Sequence, residues 1–197
     1  EGLIPALEST HAFVAAFPES SGALVELART LGSRGDTAGG NAAVDRALAL
    51  DPGDLDAIML KFWPEDPNDI QKVNEVVPVL KEFVDAHAAV PGAWRSLARA
   101  YLVVNRTDDA LEIFEKAVGL TPEDDDLRSE WWGELARHQH HDRIIKDSLT
   151  LGDMKKRDWR LRWNEAEAYA GLGRKIEARA CFSAINFDQD LHVDIRK

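Results

Sequence analysis

Between Pro91 and Asp124 the apolar positions fall into two phased stripes. Trp94, Leu97, Ala98 and Tyr101, spaced three, one and three, lie on one face of a first helix; Ala110, Phe114 and Ala117 mark a second, and Pro122 closes the unit. Two helices of this length each bury one stripe and leave another uncovered, so the pattern predicts neighbours stacked against them. Upstream, the series recurs as Leu24, Leu27, Ala28 and Leu31, a turn at Gly35, then Gly40, Val44, Ala47 and Pro52. Gly40 costs that second helix about 1 kcal/mol in propensity relative to Ala. Downstream, adding 34 gives Arg128, Trp131, Trp132, Leu135, Ile144, Ser148 and Leu151, in phase but worn; adding 34 again restores Ala166, Tyr169, Gly173, Ala178 and Phe182, followed by Ile185.

The series Trp94, Leu97, Ala98, Tyr101, Ala110, Phe114, Ala117 and Pro122 resembles the tetratricopeptide repeat (TPR) signature, departing from it only where Ala98 replaces the Gly. The resemblance implies an all-α, TPR-type helical-hairpin solenoid, a right-handed superhelix of about four to five helix pairs. As a single array over 1–197 it divides into an N-terminal helix or half-repeat at 1–20, repeats at 21–54, 55–90, 91–124, 125–158 and 159–192, and a tail at 193–197. Trp132 falls at the position where a small residue normally lets two helices approach. Either the packing differs there, or the register shifts by one to use Gly133.

The flanks depart further. Residues 1–20 predict one helix with Leu3, Leu7, Phe13, Val14 and Phe17 inward, stopped before Pro18. Residues 55–90 hold a slightly longer unit. Its first helix ends near Trp63, because Pro64 cannot continue it. Asn68 or Asp69 caps a second helix carrying Ile70, Val73, Val77, Leu80 and Val84, with a kink or a break at Pro78. The tail from Asp188 to Lys197 carries Leu191, Val193 and Ile195 but no full capping helix, so the last face is left to something else, another copy included.

Charge narrows the partners. With 35 acidic against 24 basic residues, the chain opposes broad binding to nucleic acid or acidic membranes. No apolar run approaches the roughly 18 residues that span a bilayer. Cys181 is the single cysteine and reads as a small core residue. The chain starts at Glu1 in mid-pattern, as a processed protein or an excised fragment would, and its compartment is left open.

Candidate chemistry is sparse. His138, His140, His141 and Asp142 are the one cluster of metal-ligand types, but their spacing is not that of a zincin helix, and a solvated turn between helices is the leading expectation. The run Glu123–Asp126 reads as a solvated connection that favours the next helix start. Gly39 and Gly40 lack the Lys and Ser or Thr of a phosphate loop. No cofactor and no metal is therefore expected. Lys155, Lys156, Arg157, Arg160 and Arg162, interleaved with Trp159 and Trp163, put five cations at a helix start, against the helix dipole. A solvated face is the leading expectation, then an acidic peptide or an acidic face of the same protein, then phosphates and stacked bases.

By the resemblance, the concave groove is lined by Gly92, Arg95, Arg99 and Leu102, then Asp126, Ser129, Gly133 and Ala136, then Arg160, Trp163, Glu167 and Ala170. From these, Arg95, Arg99, Arg160 and Trp163 are the expected partner-binding residues. The Lys and Asn clamp by which some family members hold a chaperone's C-terminal carboxylate is absent, Val25, Arg29, Arg95 and Arg99 standing at its positions. The expected function is a non-enzymatic scaffold that binds a protein or peptide segment, acidic by preference. The alternatives are an accessory domain of a larger enzyme, and a scaffold that self-assembles into homo-oligomers.

Overall fold

The computed structural model describes residues 3–64, 66–152 and 158–185, with backbone alone for 3–7. Among the described residues it contains eleven helices and no strand. They are α1 (Leu3–Ala16), α2 (Ser21–Ser33), α3 (Thr37–Leu50), α4 (Leu55–Phe62), α5 (Ile70–Ala86), α6 (Pro91–Val103), α7 (Thr107–Leu120), α8 (Asp125–Arg137), α9 (His141–Ser148), α10 (Trp159–Gly171) and α11 (Lys175–Ser183). The even-numbered helices begin at 21, 55, 91, 125 and 159, so the step is 34 residues everywhere except the 36 that contain the Pro64–Pro67 loop. The start of α8 follows that of α6 by 34, so the register is not shifted at Trp132.

Local chemistry fixes the ends. Ser20, Asp36, Asp54, Asp69, Asp124 and Asp158 are N-caps whose side chains accept a backbone N–H of the first turn. Much of the acidic excess is thus spent on helix starts. Four of the turns inside helix pairs share one geometry: Gly35, Asn105, Gln139 and Gly173 have φ of 82°, 59°, 62° and 74°. The next N–H in each case, that of Asp36, Arg106, His140 or Arg174, bonds back to the carbonyl of Leu31, Tyr101, Leu135 or Tyr169.

The helices fall into two compact units, residues 1–106 and 107–197. In the first, α2 packs on α1, α3 and α4, α3 packs on α4, and α5 on α6. Leu24, Leu27, Ala28, Val44, Ala47 and Ala57 form its buried centre. Gly40 lets the helices approach: a Cβ there would come within 3.3 Å of the Ala28 carbonyl oxygen, so α2 and α3 would have to part by a few tenths of an ångström to take one. Two expectations are corrected. Phe13 and Phe17 are not inward; they are 45% and 54% exposed and lean on each other at 5.1 Å, Phe13 in the last turn of α1 and Phe17 just past its end. Val14 alone of the described trio turns toward the core. Nor does Pro78 break its helix. α5 runs through it, with Pro78 on the exposed face, where solvent can meet the carbonyl that loses its bond.

In the second unit, α8 packs on α7, α9 and α10, and α10 on α9 and α11. Its centre is partly polar. Arg128 stands 34 residues after Trp94, at the equivalent position, and is 4% exposed. Trp94 donates its indole N–H to the carbonyl of Ala88 at 2.9 Å, and Arg128 donates to the equivalent carbonyl of Pro122 at 2.6 Å, so the guanidinium reproduces the bond of the ring it replaces. Its Nε donates to Asp147 Oδ2 at 3.1 Å, and Trp132, wholly buried, donates to the same oxygen at 3.0 Å. The bulky residue at the small position is thereby tied to α9.

Two outcomes follow for urea unfolding. Asp147→Ala leaves a buried guanidinium and an indole N–H without their acceptor and is expected to cost about 3 kcal/mol. Gln139→Gly relieves a left-handed backbone in a residue with a Cβ, and its midpoint is expected to rise by roughly 0.5–1 kcal/mol equivalent at unchanged slope.

Candidate partner groove

α8 and α10 of the second unit lie side by side, so residues 34 apart meet. Arg160 at the start of α10 donates to Asp126 at the start of α8. Farther along, Asn164 donates to the Ser129 carbonyl at 3.2 Å and to its hydroxyl at 3.4 Å. Beyond these bridges the helices leave an open cavity of about 660 Å³, lined by Gly133, Ala136, Arg137, His141, Asn164, Glu167, Ala170 and Phe182. Gly133, Ala136, Glu167 and Ala170 are four of the groove positions expected from the sequence. Nothing lies within 4 Å of a Cβ built on Gly133.

The basic start of α10 is more tightly held than its composition suggests. Lys155, Lys156 and Arg157 lie outside the described residues. Asp158 caps the helix and accepts from the Arg160 backbone at 2.8 Å and from its Nε at 3.0 Å. The Arg160 side chain holds the Asp158 carboxyl below its ordinary value against the opposing effect of burial. In turn Arg160 is raised above its ordinary value, chiefly by Asp158 and also by Asp126. Arg162 is 7% exposed and donates to the Ala184 carbonyl at 2.8 Å, closing α10 onto α11. The two described cations at this helix start are thus met, Arg160 by one capping acid and one acid of the preceding repeat and Arg162 by a carbonyl.

Of the expected partner-binding residues, Arg160 and Trp163 lie on α10 in the second unit, and Arg95 and Arg99 on α6 in the first. Trp163 is 38% exposed and sets its ring edge-on to Phe182, a wall of the cavity, at 5.2 Å between centroids. Arg95 is half-buried and Arg99 exposed, and both make interactions of their own. Arg137, His141, Asn164 and Phe182 were missed as lining residues. Asn164 was legible as the residue beside Trp163 that faces Ser129. His141 was not, since it read as part of a turn. It is the first residue of α9, and Gly171 leaves room for its imidazole, where any Cβ would collide with the ring. His138 and His140 cap the neighbouring helix ends. Among the described residues no three His, Cys, Asp or Glu converge as a metal site. Cys181 is half-buried, with its thiol pushed up to about 11 by burial and by Glu165, which keeps it neutral.

Residues 91–137 match a tetratricopeptide repeat family model, and residues 159–183 match a second one. No curated protein matches the chain. Among solved structures the chain is similar to MamA, at 18% identity and a TM-score of 0.60, over 91% of this chain and 98% of that one. It is similar also to YrrB, described as a TPR protein with an unusual peptide-binding site, at 17% identity and 0.57 over 95% of both chains. A third is a thermophilic TPR protein of Thermus thermophilus, at 21% identity and 0.51, over 88% of this chain and 93% of that one. At these identities the likeness is one of fold. No described helix is long and apolar enough to cross a membrane.

Asp158→Ala removes a cap and one of the two acids on Arg160, and is expected to cost about 1 kcal/mol at neutral pH. Because the folded carboxyl is depressed, that contribution is fully present above the ordinary aspartate value of about 3.9 and is lost as pH falls through the lowered one. The stability difference between variant and parent is therefore expected to close below about pH 4 in unfolding titrations.

Proposed function

Because the chain belongs to the tetratricopeptide repeat family, we propose that it is a non-enzymatic interaction scaffold and that the α8–α10 groove of its second unit receives a segment of a protein partner. One observation carries this: at the groove register the open cavity between α8 and α10 is lined by the small residues Gly133, Ala136 and Ala170 and by Glu167, beyond the Arg160–Asp126 and Asn164–Ser129 bridges. Gly133, Ala136 and Ala170 supply a shallow floor, and Phe182, backed by Trp163, supplies an apolar wall. Arg137, Asn164 and Glu167 are the polar groups available to fix a main chain. An extended segment carrying one or two apolar side chains suits that surface.

Arg95 and Arg99 on α6 of the first unit are kept as a separate expected surface for an acidic segment, apart from the groove. Arg160 is engaged by Asp126 and Asp158, and Arg95 and Arg99 likewise have interactions of their own. Trp163 serves through its exposed edge, as an apolar contact with a polar rim. The accessory-domain and self-assembly alternatives keep the same groove and differ in whether the segment comes from a larger enzyme or from a second copy. Light scattering after size exclusion separates the latter, as a mass that rises with concentration.

Gly133→Trp fills the groove from a position with free space around it, and is expected to leave the melting temperature unchanged or higher. Sequences selected from a displayed peptide library against the parent protein are expected to bind this variant at least about tenfold more weakly, a loss of roughly 1.4 kcal/mol. Arg95→Glu with Arg99→Glu is expected to weaken the acidic members of that set selectively. Equal binding of the selected peptides by parent and Gly133→Trp would place the partner elsewhere.

A further inference from the structure

The charged groups of the α8–α10 groove are not all met within the fold. Arg137 is ion-paired with Glu134, one turn before it on α8, and Arg160 with Asp126 and Asp158. Arg162 and Glu165 are buried in the core and do not line the opening. Glu167 differs: it is an exposed lining residue that makes no hydrogen bond or ion pair with any described residue. With His141 counted neutral, two described cations (Arg137, Arg160) stand along this face against four carboxylates (Asp126, Glu134, Asp158, Glu167). The balance is mildly negative, in a chain whose formal net charge is -11, and a field of that sign draws in basic segments and turns away acidic ones.

An exposed acid alone selects nothing, because water serves it nearly as well as a cation does. What sets Glu167 apart is its company. Trp163 precedes it by one turn on α10, so the two side chains share a face, with about 5–6 Å between their Cβ atoms. The Trp163 ring stands at 74° to that of Phe182, and Phe182 is itself a wall of the cavity. Elsewhere the chain lays its own guanidinium groups on aromatic rings, Arg106 over Tyr101 at 4.4 Å and Arg174 over Tyr169 at 4.7 Å, but no described cation lies over Trp163. An unmet carboxylate beside an open indole attracts one kind of group most. A guanidinium stacks on an aromatic surface while its planar fork donates two parallel N–H bonds to a carboxylate; an ammonium offers the charge without the plane. The opening of about 660 Å³ over Gly133, Ala136 and Ala170 leaves room for so long a side chain.

Resting on the groove reading above, we propose that the segment received there is basic, and that Glu167 and Trp163 together take an arginine side chain of the partner while its apolar neighbours pack on Phe182 and the small floor. The test selects random displayed peptides on the full chain and remakes a chosen binder with citrulline, the uncharged isostere, in place of its arginine. Sequences that bind the parent and are lost on Gly133→Trp are expected to be enriched in arginine. Glu167→Gln, an exposed change whose fold is checked by circular dichroism, is expected to hold them roughly tenfold or more weakly. Citrulline is expected to cost about the same on the parent and little on Glu167→Gln, because the two changes remove one interaction. Selection repeated on Glu167→Arg is expected to return acidic residues in place of the arginine, which a structural role for Glu167 would not produce. Binding that survives Gly133→Trp would sink the groove reading and this inference with it. Groove-dependent binders with no excess of arginine, or held equally by the parent and Glu167→Gln, would overturn this inference alone and leave the groove standing.

Discussion

A pair of short antiparallel helices has more apolar surface than the pair itself can cover, and every other feature of this chain answers that constraint. α2 is met by α3 of its own repeat and α4 of the next, α8 by α9 of its own and α10 of the next, and α10 by α11 of its own and α8 and α9 of the preceding one. The residue types follow. Small side chains sit where backbones approach, with Gly40 under the Ala28 carbonyl as the tightest case. Large ones fill the spaces between repeats, and acids gather at the helix starts, where the free N–H groups need acceptors.

The same constraint explains what makes a groove. A helix packed against both its own partner and its neighbour has one stripe left over, and adjacent repeats present these stripes side by side. On α8 and α10 the leftover stripe is Gly, Ala, Glu and Ala, too small to fill the space between the helices. The opening is therefore a product of the repeat period combined with a few small side chains. Its chemistry is neither strongly acidic nor strongly basic, because the cations nearest to it are largely consumed within the fold.

The helical fold and its period were legible in the sequence because the signature residues recur every 34 positions and because Pro64 and Pro67 announce the one longer unit. The caps were partly legible, Asp69 among them. Phe13 and Phe17 were misread because periodicity reports which residues share a face but not whether another helix covers it. Pro78 was ambiguous for a similar reason: a proline on the solvent side of a helix can be carried where one on the buried side cannot. Of the groove, the small positions followed from the repeat register. The contributions of His141 and Phe182 did not, since they depend on how far α9 and α11 reach toward α10. The neutralisation of Arg160 required knowing that residues 34 apart, Asp126 and Arg160, stand next to each other.

The replacement of an indole by a guanidinium at Arg128 bears on how freely such repeats can be exchanged. An aromatic ring at that position packs with any apolar neighbour, whereas Arg128 requires one oxygen of one carboxylate on the following helix. The positions equivalent to Asp147 are Ile113 in the preceding repeat and Cys181 in the next, and neither can accept that charge. The helix pairs α6–α7, α8–α9 and α10–α11 start 34 residues apart, yet they are not interchangeable modules. Duplicating or deleting one by half a unit would leave α8 without its own α9, so the order of the array is written into its polar centre as well as into its chain.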